Sequence, residues 1–201
     1  MRSTSVSRPT GAADPAGRHE AAGDRYTRVA ILLHWLIALL VIGQIAYGYY
    51  LGDVPRGTPA RGIAVNLHKS MGIVTGLLIL ARLLWRLAHT PPALPASMPG
   101  WQRAMAHVSH IGLYLCMVGM PLSGYIASNY SKHGVKFFNT WVWAPWGTDD
   151  KAVYGFFNTV HTSLAVVFVA LVVLHVVGAL SHLRSREDGV LKRMMPGGSR
   201  G

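Results

Sequence analysis

Apolar residues in this chain fall into four long runs, at 29–51, 64–87, 102–127 and 153–182, interrupted only by scattered small or polar positions. A helix rises about 1.5 Å per residue, so about 20 apolar residues cross the hydrocarbon core of a bilayer, and each run is long enough to do so. Between the second and third runs, Thr90-Pro91-Pro92-Ala93-Leu94-Pro95 cannot continue a helix, because proline lacks an N–H and its ring clashes with the preceding turn. The pattern predicts an all-α, integral membrane four-helix bundle spanning 26–196, with a disordered tail over 1–25 and a short C-terminal tail over 197–201. Gly43, Gly48, Gly72, Gly76, Gly119, Gly124 and Gly178 recur within the runs, where they let helices or a flat cofactor approach the backbone closely.

Composition agrees with a lipid environment: 51% of the residues are hydrophobic and only 13% charged, too few to cover a soluble domain of this length. The net charge of +11 does not point to nucleic acid, because the basic residues sit between apolar runs and build no basic helix or aromatic-basic sheet. It reads as topology. With the N-terminus inside, 13 of the 19 Lys and Arg residues fall on the inner side, and Arg25, Arg28, Arg82, Arg86, Arg103, Arg184 and Arg186 all border spans there. Both termini are therefore expected in the cytoplasm, in a multi-pass protein of a bacterial inner (plasma) membrane. Residues 1–28 contain no apolar stretch that could serve as a cleavable signal, so the first span is expected to act as its own insertion signal. The outer segment 129–151, with Phe137-Phe138 and Trp141-Val142-Trp143-Ala144-Pro145-Trp146, is expected as a short interfacial helix or loop forming an aromatic belt at headgroup depth.

Histidine placement carries the chemistry. His34, His68, His161 and His175 lie within or at the edge of apolar spans, where an imidazole is rare unless it faces the bundle interior or a cofactor. His161 and His175 are 14 residues apart, which returns to nearly the same helix face about 21 Å along the axis. Alternation of span direction puts His34 level with His175 on the inner side and His68 level with His161 on the outer side. Each level then offers two neutral imidazoles from different helices, the requirement of six-coordinate haem iron. The competing reading of any one of these residues is an interhelical hydrogen bond. A zinc site fits poorly, because no Cys, Asp or Glu stands near either pair. Cys116 is the only cysteine, so an intramolecular disulfide and c-type attachment are both excluded and any haem is held noncovalently.

The remaining candidates surround those pairs. His19, His89 and His133 read as solvated surface residues, whereas His107 and His110, one turn apart, could contact a propionate, a quinone or a neighbouring helix and are reserve ligands for the inner level. Haem propionates are anionic, so Arg28, Arg82 and Arg86 suit the inner haem and Arg61 and Lys69 the outer one; lipid phosphate is the alternative partner for each. His182 ends the fourth span, where it could relay a proton or simply snorkel. A quinone would find an apolar slot and a proton route around His175, His182, Arg28 and His107. On the outer side Arg56, Arg61, Lys69, Lys132, Lys136 and Lys151 outnumber Asp53, Asp149 and Asp150, a field that could steer an anionic reactant.

These pieces resemble the prokaryotic cytochrome b561 family, which includes the cytochrome b subunits of nickel-iron hydrogenases and formate dehydrogenases. The likeness covers 26–196 and rests on Ile31-Leu32-Leu33-His34-Trp35-Leu36, Asn66-Leu67-His68-Lys69-Ser70-Met71-Gly72, Ala81-Arg82-Leu83-Leu84-Trp85-Arg86, Ala106-His107-Val108-Ser109-His110, Val160-His161-Thr162, Leu174-His175 and Leu191-Lys192-Arg193-Met194-Met195-Pro196. It implies two haem b groups, each with two His ligands, carrying electrons between membrane quinone and a second redox partner, and it leaves His107 and His110 beside the haem rather than on the iron. The likeness is to stand-alone cytochromes of about this length rather than enzyme subunits, and some of that type are similar to superoxide oxidases, which take an electron from superoxide on the outer side and reduce ubiquinone. The longer N-terminal tail and the Trp-rich outer loop depart from the family pattern. Three functional classes follow as expectations: a free-standing haem oxidoreductase, an electron-transfer anchor for a periplasmic redox enzyme, and a haem-free helical scaffold.

Overall fold

The computed structural model describes residues 25–94, 98–184 and 191–195, with 182–184 given as backbone only. Of the tails expected at 1–25 and 197–201, all but Arg25 lies outside the described residues, as does the side chain of His182. Four helices dominate: α1 (Arg28–Asp53), α2 (Pro59–Ala88), α3 (Gly100–Asn129) and α4 (Lys151–Arg184), each long and apolar enough to cross a membrane. A four-residue 3₁₀ turn, Leu191–Met194, follows α4.

Capping residues explain where the helices begin. Thr27 Oγ1 accepts from the Ala30 N–H at 3.2 Å, and the Asp150 carboxylate accepts from Ala152 N and Val153 N at 2.8 and 3.1 Å. α2 starts five residues before the apolar run at 64, because Thr58 Oγ1 takes the Arg61 N–H and Pro59 enters the first turn, where no N–H is needed. Arg61 then reaches back to the Val54 carbonyl at 3.1 Å.

Residues 129–151 correct the sequence expectation: within them the chain forms a β-hairpin rather than an interfacial helix or a plain loop. Strands β1 (Val135–Phe137) and β2 (Trp141–Trp143) pair antiparallel, with Val135 opposite Trp143 and Phe137 opposite Trp141. Aromatic and β-branched residues favour the pleated form, and Phe137 stacks on Trp143 at 4.8 Å and 7°. Phe138 and Asn139 make the turn with φ of 46° and 59°, left-handed values that suit Asn and strain Phe.

The helices stack in the spatial order α4, α3, α2, α1, with α3 and α4 the most closely packed pair. Glycines explain that intimacy: a Cβ on Gly112, Gly119 or Gly124 would lie 3.0 Å from Leu171, Leu164 or His161 of α4 respectively. Between the levels of Gly119 and Gly124, Gly76 of α2 faces Pro121, the proline inside α3. A small core of Ile37, Val41, Ile79, Cys116 and Phe168 fills the middle, while Leu32, Leu39, Leu77, Val108, Leu115 and Val166 point outward and exposed. Such an apolar exterior is stable only in hydrocarbon. By contrast with its seat on α3, α4 makes little direct contact with α1 or α2. It faces them across histidines.

Candidate functional site

The four histidines singled out in the spans meet in two pairs. His34 of α1 and His175 of α4 have ring centroids 6.2 Å apart at 68°, and His68 of α2 and His161 of α4 have theirs 6.2 Å apart at 90°. A metal–imidazole bond is about 2 Å long, so two rings on opposite sides of one ion have centroids about 6 Å apart once half a ring is added on each side. The first pair lies at the end of the bundle where α1 begins and α4 ends, called here the terminal end; the second lies at the hairpin end.

Each ring is held by neighbours. His161 Nδ1 sits 2.9 Å from the Met120 carbonyl oxygen and 3.4 Å from Ser123 Oγ. A carbonyl can only accept, so Nδ1 carries the proton and the Nε2 lone pair is free for a metal, the arrangement seen for metal-bound histidines generally. The approach to the α3 backbone is possible because residue 124 is glycine: a Cβ there would meet His161 Cε1 and Nδ1, each at 3.0 Å. His68 is flanked by Tyr47, whose ring lies nearly parallel to it at 15° and 6.2 Å, and its carbonyl accepts from Gln44 Nε2 at 2.9 Å. Gly48 leaves room beside His68 Cε1 and Gly72 leaves room for the Gln44 amide. His68 Nδ1 is buried with no hydrogen-bond partner among the described residues. His34 packs edge-on to Trp35, whose indole N–H donates to the Met194 carbonyl at 2.8 Å.

Between the two levels sits Phe168, buried and seven residues from each α4 histidine, on the same face of the helix. With Ile37, Val41, Ile79 and Cys116 it makes a dry apolar layer between the pairs.

The other candidates are distributed as follows. His110 is half-buried, with its ring 5.5 Å from that of His175, whereas His107 is exposed. Arg82 donates to the Ala30 carbonyl at 2.8 Å, within electrostatic reach of His34 and His175. Arg86 lies over the Tyr114 ring at 5.5 Å, and both border a cleft with Trp85 and His89 at the terminal end. Arg28 is exposed. His89, expected as a loop residue, caps α2 and stacks on Trp85 at 4.0 Å. At the hairpin end, Lys69 Nζ donates to the Gly134 carbonyl at 2.8 Å, Lys132 lies 3.8 Å from Asp149 with both side chains exposed, and Lys136 projects to solvent. Gln44, Tyr47, Asn66 and Ser70 were not singled out from the sequence; a glutamine inside an apolar span was the signal that could have found the first.

The family model of prokaryotic cytochrome b561 matches residues 25–197. The chain belongs to that family. It is 31% identical over 172 residues to cytochrome b561 homolog 2 of Escherichia coli K12, covering 86% of this chain and 92% of that protein. It is 28% identical over 173 residues to cytochrome b561 homolog 1 of the same organism, covering 86% and 98%. A Yersinia pestis protein named "Probable superoxide oxidase CybB" is 31% identical over 180 residues, covering 86% of this chain and 96% of its own length. Membership makes the chain a multi-pass bacterial inner-membrane protein of electron transfer and implies haem b.

The residues present fit that group. Opposed imidazoles at metal-spanning separation, an Nδ1 proton parked on a carbonyl, an orphaned buried imidazole nitrogen and a helix that stands off from α1 and α2 are the donors and the space that haem b would need.

Proposed function

We propose that the chain is a di-haem cytochrome that carries electrons between the quinone pool and an outer reductant, with His34 and His175 on one iron and His68 and His161 on the other. The single observation carrying this reading is the pair of equal 6.2 Å ring separations at two depths of the bundle. When bound, the haems supply one-electron Fe(III)/Fe(II) chemistry. The chain's own residues orient it: α4 presents both imidazoles on one face about 21 Å apart, Met120 fixes the His161 tautomer, and the Phe168 layer keeps water from the middle.

The terminal end, with Arg25, Arg28, Arg82, Arg86 and Arg103 beside the spans, faces the cytoplasm by the positive-inside rule. Arg82 lies where it can neutralise a propionate of the terminal-end haem, and Lys69 retains N–H groups for the hairpin-end haem beyond the one it gives Gly134. The terminal-end cleft walled by Trp85 and Tyr114 gives a quinone ring an apolar place, with His89 in its lining as a group that can pass protons. Ubiquinone there takes two electrons and two protons to become the quinol. Superoxide, the substrate class in the name of the Yersinia relative, is the outer donor favoured here: two superoxide ions lose one electron each and leave as dioxygen. Lys132 and Lys136 attract that anion to the hairpin end.

A reduced-minus-oxidised spectrum with haem quantification tests the reading. Two haem b per chain are expected, falling to one in His34→Ala or His68→Ala; full pigment in His161→Ala or His175→Ala would sink it. Superoxide-driven ubiquinone reduction by the purified protein tests the donor separately.

A further inference from the structure

The hairpin lies on the side of α2 that faces away from the histidine pair. Asn66 and Ser70 stand two residues before and two after His68, and at about 100° per residue each projects about 160° from it. On that far face the hairpin grips α2 by hydrogen bonds along its backbone: Phe138 N donates to Ser70 Oγ at 2.8 Å, and Lys136 N donates to Asn66 Oδ1 at 3.4 Å. Asn66 Nδ2 donates to Asn139 Oδ1 at 3.2 Å, and Asn139 Nδ2 donates to the Ile63 carbonyl at 3.2 Å. Lys69, about 100° round from His68, adds a contact from its Nζ to Gly134 O. Ser70 is fully buried although it is polar and sits at the end of a span, and its hydroxyl proton goes to the Asn66 carbonyl at 2.7 Å.

The turn residues that reach α2 include the strained one. Phe138 and Asn139 both hold positive φ, and a phenylalanine adopts that backbone only where its surroundings over-determine it. Here the Ser70 hydroxyl holds the Phe138 N–H, and the Asn139 amide is fixed at both of its ends. A hairpin that served only to join α3 to α4 would need none of these contacts, since the link between those helices is complete without touching α2.

We infer that the hairpin is a buttress for the hairpin-end iron: through Asn66, Ser70 and Asn139 it fixes the roll of α2 and with it the plane of the His68 imidazole against that of His161. The leverage is large. With side chains the helix has a radius of about 5 Å, so a roll of about 10° moves a ligand atom by about 1 Å, whereas metal–ligand distances tolerate only about 0.2 Å. Tyr47 and Gln44 of α1 bear on His68 from the other side, so the ligand turn is held front and back. Asn66, Ser70 and Asn139 are thus positioning residues, acting on the iron through His68.

This rests on the di-haem reading, and the test separates the two. Asn139→Gly removes both amide contacts from the hairpin side, keeps a residue at ease with φ of 59° and leaves the α2 sequence untouched; Ser70→Ala removes the grip from the α2 side. In both variants two haems per chain are expected, with the ferric low-spin electron paramagnetic resonance signal of one haem shifted towards less perpendicular ligand planes and its midpoint potential lowered as water gains access. The signal of the other haem stays in place. Val142→Ala, at an exposed site of the hairpin that makes none of these contacts, is expected to match the wild type. Unchanged signals and potentials in both grip variants at full haem content overturn the buttress. Fewer than two haems in the wild-type protein overturn the reading beneath it.

Discussion

A methyl group at residue 124 is the sharpest single perturbation of the proposed centre. In Gly124→Ala the new Cβ would stand 3.0 Å from both His161 Cε1 and Nδ1, while carbon atoms rest at about 3.5–4.0 Å. The ring must therefore retreat by about 0.5 Å or more, beyond the roughly 0.2 Å that a metal–ligand bond tolerates. Its Nδ1 hydrogen bond to the Met120 carbonyl, 2.9 Å long, is strained in the same movement. Loss of such an orienting partner costs about 10–100-fold in metal affinity, or about 1.4–2.7 kcal/mol. The expected result is a haem-to-protein ratio falling from two towards one, with the remaining haem keeping its wild-type spectrum. Gly43→Ala is the control, because nothing lies within 4 Å of a Cβ built there. Haem is measured by pyridine haemochrome on protein from haem-replete cells. Two haems with unaltered spectra and unaltered retention on dilution in Gly124→Ala would refute the argument that α3 seats the His161 ring for iron.

Other outcomes follow from the same geometry. His110→Ala is expected to keep both haems and shift only the terminal-end potential, because His110 approaches His175 from α3 rather than opposing it across the pair as His34 does; loss of a haem would make it the ligand instead. Gln44→Leu removes one hydrogen bond to the His68 carbonyl and is expected to lower stability by about 0.5–1.5 kcal/mol, read as thermal loss of one haem band before the other. Lys132→Glu with Lys136→Glu should slow reaction with superoxide severalfold and flatten its dependence on ionic strength, and an unchanged salt dependence would remove these lysines from the encounter. Removing haem leaves α4 seated chiefly on α3, so the apoprotein is expected to expose α4 to proteolysis and hydrogen exchange, and haem at 100-fold over its dissociation constant to restore about 2.7 kcal/mol.

The pairing of the span histidines was legible in the chain because helical geometry is rigid. Once four apolar runs are assigned alternating directions, a rise per residue converts sequence position into depth, and His34 must fall level with His175 and His68 with His161. No knowledge of neighbouring contacts is needed. The same reasoning reads the glycines as close approaches, although only the structure tells that Gly124 admits an imidazole while Gly119 admits Leu164. Helix starts were less legible, since α2 begins at a threonine cap and a proline that hydropathy does not weigh.

The hairpin was hidden for a different reason. Its strands are three residues each, too short for an alternating pattern to stand out, and the turn is made by Phe138-Asn139 rather than by the glycine pairs that announce such turns. What stabilises it is not local. Ser70, Asn66 and Ile63 supply partners from a helix about 70 positions earlier in the chain, and without them two short strands in water would be marginal at best. The polar residues around His68 therefore have a collective explanation: a span that presented only the histidine could have been apolar on its far face, but Asn66 and Ser70 make that face a socket for the hairpin. A helix that must present one imidazole at one angle gains from being gripped on the side opposite the ring.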